Sequence, residues 1–153
     1  MQQNNHGIQH NDVLNGVLVL LRRSLLQYAA EAWPWTGAGP SELHVQVDRL
    51  IAAQSERVRK LVDLLDARRW TMDFGAFRDF TDLHYLSLAF LLPHLVENQQ
   101  TVVSEIERAL PQCAGDSEAT ALVAEILVGE SQALSELQQL VAKQTRPAAH
   151  TVA

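Results

Sequence analysis

The sequence predicts an all-α fold, a four-helix bundle with one long crossover. Apolar residues recur at three-four spacing in four long stretches, and strand-like alternation appears nowhere. Two of the three links are short, whereas the one between the second and third helices is long, the plan of an up-down bundle with one crossover. With 153 residues the chain is one domain, long enough to bury roughly 70% of its unfolded surface without disulfides or a structural metal.

The first helix is expected over residues 12–32, capped by Asn11-Asp12, with Leu14, Val17, Leu18, Leu21, Leu25 and Tyr28 as its stripe. Val19, Leu20 and Leu26 fall outside that stripe, which predicts a second buried contact, assigned to another subunit. Trp33 to Pro40, with two Pro and two Gly, is a loop. The second helix opens at Ser41 and runs to residue 67, carrying Leu43, Val47, Leu50, Ile51, Val58, Leu61 and Leu65. Between Arg68 and Thr81 an aromatic-rich stretch is too long for a tight hairpin and reads as the crossover. The third helix spans residues 81–110, with Pro93 expected to kink it. Pro111 to Asp116 breaks the pattern, and Asp116 or Ser117 caps the fourth helix, which extends to residue 144. Residues 1–11 and 145–153 read as flexible tails.

Composition narrows the function. Twelve Lys and Arg against eighteen Asp and Glu give a net charge of −6, and only two of the basic residues are Lys, which argues against a broad nucleic-acid footprint. The lone Cys113 forms no internal disulfide, and no Cys/His cluster has zinc spacing, so a cytoplasmic location is expected. The start of the chain lacks a basic segment, and Arg22 and Arg23 break its apolar run; neither a signal peptide nor a membrane span is expected. A Ser-His-Asp hydrolase is disfavoured, because no Gly-x-Ser-x-Gly elbow occurs.

Several short motifs, in order and at matching distances, carry a resemblance. Leu14-Asn15 is followed eighteen residues after the Asn by Trp33; Gly37 to Pro40 leads into Glu42-Leu43-His44; and Gly115-Asp116 precedes Ala119-Thr120-Ala121 and Glu125-Ile126-Leu127. This pattern, spread over nearly the whole chain, resembles the Dps family of ferritin-like proteins, cage-forming proteins that oxidise and store iron and often shield DNA. The resemblance implies a ferritin-like four-helix bundle, a homo-oligomer that is cage-like, iron as cofactor, and a role in iron storage and oxidative-stress protection.

The family's iron site lies between subunits, with two His from one chain and an Asp and a Glu from the other. Position by position these fall on Ala32, His44, Arg59 and Asp63, so only His44 and Asp63 can ligate; Arg59 brings a permanent positive charge to a cation's place. The resemblance therefore implies a degenerate ferroxidase centre with His44 and Asp63 as metal ligands across a two-fold interface and Asp48 as an auxiliary. Ferroxidase activity is left uncertain by Ala32 and Arg59. The alternative is a metal-free ferritin-like shell or scaffold subunit without catalysis, in which Arg59 pairs with Asp63. DNA binding is not expected, because Met1 to His6 contains no Lys.

A metal inside the bundle, as in larger ferritins, would need Glu from two helices and Glu-x-x-His from the other two. The chain has no Glu-x-x-His. Glu130, however, interrupts an apolar stripe between Leu127 and Leu134, so it is expected inside with a partner, for which His84 is the candidate. His44 and Asp48, four apart on one helix face, fit either a metal or a simple side-chain pair. Trp33 and Trp35 are read as interface aromatics. His94 and Glu97 are expected in solvent; Asp63 and Asp66 fit either acidity in a cage interior or a solvated helix end equally well; His6, His10 and His150 are expected in the tails.

Overall fold

The computed structural model describes residues 3–32, 42–76 and 87–145. It is all-helical over these residues: α1 (Gln3–Arg22), α2 (Leu25–Ala32), α3 (Glu42–Ala67), α4 (Leu88–Ala109), a 3-10 helix (Leu110–Cys113) and α5 (Ser117–Thr145). No strand forms among them. No helix there is long and apolar enough to cross a membrane.

Packing fixes the directions. The end of α3 meets the early part of α1 and the start of α5, because Arg68 donates to Asn11 and to Asp116. The starts of α3 and α4 meet α2, where His44, Val47 and Leu88 share a small cavity with Ala29 and Ala30. Hence α1–α2 and α5 run one way and α3 and α4 the other, an up-down-down-up bundle in which all the principal helix contacts are antiparallel. Parallel α3 and α4 require a crossover along the bundle. The crossover climbs α1: Asn15 exchanges hydrogen bonds with the backbone of Asp73, and Arg23 donates to the carbonyls of Phe74 and Gly75. Gly75 has φ +69°, and a Cβ there would stand 2.6 Å from Val19 Cγ1, so only glycine lets the strap lie this close.

The strap revises one expectation. The apolar excess on α1, assigned to another subunit, is met in part within the chain: the strap covers Val19, and Leu26 turns fully inward on α2.

The first helix also begins earlier and is broken. It starts at Gln3, so Asn11 and Asp12 lie inside it rather than capping it, and Asn11 instead accepts from Arg68. His10, assigned to a tail, is buried and lies 3.1 Å from the Ala114 carbonyl. The break falls at Arg23–Ser24, between α1 and α2. There the Ser24 hydroxyl accepts from the Gln27 amide as a cap, and the Leu25 amide donates to Asn98 on α4. α3 and α5 lie close to their expected bounds, whereas α4 begins at Leu88 rather than at residue 81. Ser87 caps α4, Asp116 caps α5 through the Ala119 amide, and α4 continues through Pro93 as one helix. The chain leaves α3 by a Schellman turn, with Trp70 N–H on the Leu65 carbonyl, Arg69 N–H on the Asp66 carbonyl, and Arg69 at φ 55°.

Two apolar clusters fill the bundle. One joins Leu14, Leu18, Leu21, Leu61, Leu65, Ile106 and Ile126 with their neighbours; the other joins Leu25, Leu26, Leu50, Leu92, Leu95 and Leu137 with theirs. Between them lies a polar layer.

Candidate functional site

The polar layer comes from positions where each helix's inward stripe changes character. On α3 the buried series runs Val47, Leu50, Gln54, Val58, Leu61; on α4, Leu92, Leu95, Gln99, Val102, Ile106; on α5, Val123, Ile126, Glu130, Ala133, Leu137. Gln54, Gln99 and Glu130 thus occupy core positions at one level, and the α1–α2 break brings Ser24 to the same level. Glu130 is 0% exposed.

Donors surround its carboxylate. Oε2 accepts from Gln54 Nε2 at 3.0 Å and from Gln99 Nε2 at 2.6 Å, and Oε1 accepts from Arg57 Nε at 2.8 Å. Gln99 Nε2 also donates to the Glu130 carbonyl. Gln54 Oε1 in turn accepts from the Ser24 hydroxyl and from Gln27 Nε2. Burying a carboxylate is tolerable only when it is paired and hydrogen-bonded. Arg57 supplies the charge and the two amides supply the rest.

Arg57 lies one turn beyond Gln54 and reaches inward across α5 at Gly129. A Cβ on Gly129 would stand 2.8 Å from Arg57 Nη1 and 3.0 Å from its Cδ and Cζ. The glycine is therefore the notch through which the guanidinium passes. The layer can hold a fixed internal ion pair, and what it presents to an incoming cation is another cation.

Along their length α3, with Arg68 just past its end, and α5 are joined by a run of ion pairs of which Arg57–Glu130 is one. As the α3 member moves from Arg49 to Arg57, Lys60 and Arg68, its α5 partner moves back from Glu136 to Glu130, Glu125 and Glu118. That order is the antiparallel register written in charge. At the lower end Arg68 forks onto Asp116 at 2.7 and 2.9 Å, holding the Asp116 carboxyl down at about 2, helped by the Ala119 amide. Burial pushes the nearby Cys113 thiol up, the opposite of an activated nucleophile.

The sequence-predicted ligands are distributed along α3. His44 is buried, with Nε2 3.5 Å from Asp48 Oδ2, and both line a small cavity beside Ala29, Ala30 and Leu88. Asp63 lies nineteen residues beyond His44, about 28 Å along the helix, so one chain does not bring the two together. Asp63 is exposed and 3.5 Å from Arg59, which also donates to Glu56 and holds that carboxyl below its ordinary range. Ala32 closes α2. Among the described residues no group of three or more His, Cys, Asp or Glu side chains is placed to hold a metal ion. Trp33, Trp35, the Gly37–Pro40 loop, His84 and His150 lie outside the described residues.

Glu130 faces inward as expected, and its observed partners are Arg57, Gln54 and Gln99. The missed signal was the set of stripe gaps: single glutamines at core positions of two helices, and an isolated Gly beside the buried Glu. Neither a protein-family model, nor a curated protein, nor a solved structure matches the chain.

Proposed function

We propose that the chain is a metal-free ferritin-like bundle that serves as a shell or scaffold subunit rather than as an iron-oxidising enzyme. One observation carries the reading: the Arg57 guanidinium lies on Glu130 at the bundle's centre, where the larger ferritins place metal-binding Glu and His. The up-down-down-up order of the helices supports the ferritin-like part. Arg59 supports the metal-free part, since this surface Arg, paired with Glu56 and Asp63, brings a positive charge to a position where the Dps resemblance implies a ligand. A groove of about 320 Å³ between α1 and α4, with Val13, Val17 and Leu20 along one side, is the surface we assign to subunit contact.

A second reading retains iron storage and stress protection. It draws on His44 and Asp48, which face one small cavity, and needs Asp63 of the partner subunit to complete a site for Fe(II) oxidation by peroxide or oxygen. One experiment separates the two. Untagged protein is given Fe(II) and peroxide under anaerobic conditions, and iron per chain is followed with light-scattering mass. The metal-free reading expects an oligomer that carries no iron after desalting and oxidises Fe(II) no faster than buffer. An oligomer holding many irons per chain, and losing them on His44→Ala or Asp63→Ala, would replace it with the second reading. A monomer would remove the shell role.

A further inference from the structure

We infer that the polar layer divides the bundle into two half-bundles that open separately, and that the half built around α2 opens first. The two apolar clusters share no buried residue, and the buried polar side chains of Gln54, Gln99 and Glu130 lie between them. Cooperative opening units follow contiguous packed surface, and the layer is a break in that surface.

The halves are braced unequally. The α1 half carries the Arg68–Asp116–Asn11 network, the Schellman turn at Arg69 and the strap bonded to Asn15 and Arg23. Trp70 and Met72 also pack on its cluster. In the α2 half, α2 is eight residues long, too short to persist alone. The intrahelical ladder is interrupted at Ser24, and the Leu25 amide hangs on a side chain of α4. The helix is therefore held by the burial of Leu25, Leu26 and Ala29 and by one side chain, Gln27, which donates to the Ile51 carbonyl and to Gln54 and accepts from Ser55. The starts of α3 and α4 and the end of α5 terminate in the same half, so all four elements can fray together; opening α2 breaks the Gln27 bond to Gln54 but leaves Gln54, Gln99 and Arg57 on Glu130. Opening reversibly uncovers Leu26, Ala29, Leu92 and Leu137, an apolar surface closed in the native bundle.

Hydrogen exchange read by mass spectrometry on the full chain, at rising sub-denaturing urea, tests this. Peptides covering 25–32, 88–98 and 131–145 should exchange at least about 10-fold faster than those covering 10–22, 58–67 and 119–127, converging only near global unfolding. Leu61→Ala, in the α1 half, should speed exchange of that half by about 10-fold or more and leave the α2 half within about twofold, because the partly open state keeps the α1 half folded. Should that variant fail to fold, Ile106→Val gives the same contrast at about fivefold. Equal acceleration of both halves, or equal rates in the native chain, would mean one cooperative unit and overturn the inference. Faster exchange in the α1 half would overturn the order of opening.

Discussion

Replacing Arg57 with Met tests the buried ion pair most sharply, because it removes the cation and keeps the stem. Removing one partner of a buried pair typically costs about 3–5 kcal/mol, since the other charge stays buried without compensation. Here Glu130 is 0% exposed but keeps two amide donors, at 3.0 and 2.6 Å, and the Arg57 side chain is 14% exposed, which places the loss near the lower end, at about 3 kcal/mol. The double variant Arg57→Met/Glu130→Met removes more and should cost less. Its remaining penalty is chiefly the orphaned Gln54 amide, about 1 kcal/mol, since Gln99 keeps the Glu130 carbonyl, and new apolar burial of similar size offsets it. Urea unfolding of the wild type, both single variants and the double variant reads the cycle directly. A double variant that loses as much as the sum of the singles would show that the two residues are not coupled, and the layer would not be an ion pair in the sense argued.

Other outcomes follow from the same geometry. Gly129→Ala should destabilise by about 1–2 kcal/mol in urea unfolding, although Ala in a helix ordinarily gains about 1 kcal/mol over Gly, because the new Cβ displaces Arg57 from Glu130. Arg69→Gly should stabilise by about 0.5–1 kcal/mol by relieving a left-handed Arg at φ 55°, read as a higher melting temperature. Asp116 is held at about 2 against an ordinary 3.8, so its contribution is complete above about pH 4 and is lost as pH falls toward 2. Thermal melts should accordingly show wild type and Asp116→Asn converging over that range, and a constant gap would contradict the assignment.

Much of the fold was legible from periodicity. The bounds of α3 and α5, the Asp116 cap and the long crossover follow from apolar spacing and breakers, which are local signals. The start of α1 was not legible: Gln3 to Asn11 has no apolar stripe, and what holds it is remote, with His10 reaching Ala114 and Asn11 reaching Arg68. The break at Ser24 was hidden for the same reason, since Asn98, seventy-three residues beyond Leu25, stabilises it by accepting from the Leu25 amide. At the centre, Glu130 announced itself as a charge in an apolar stripe. Arg57 did not, because it lies off the stripe and enters through the notch at Gly129, a feature of two helices together. The resemblance pairs His44 with a second chain's Asp63, a pairing that the packing of one chain does not set.

The central claim is that a guanidinium occupies the middle of this bundle. Diffraction from crystals grown in excess Mn(II), with an anomalous difference map, addresses it directly. The account predicts no anomalous peak among Gln54, Gln99 and Glu130, with Arg57 seated on the Glu130 carboxylate. A manganese peak on Glu130, with Arg57 turned out to solvent, would contradict it.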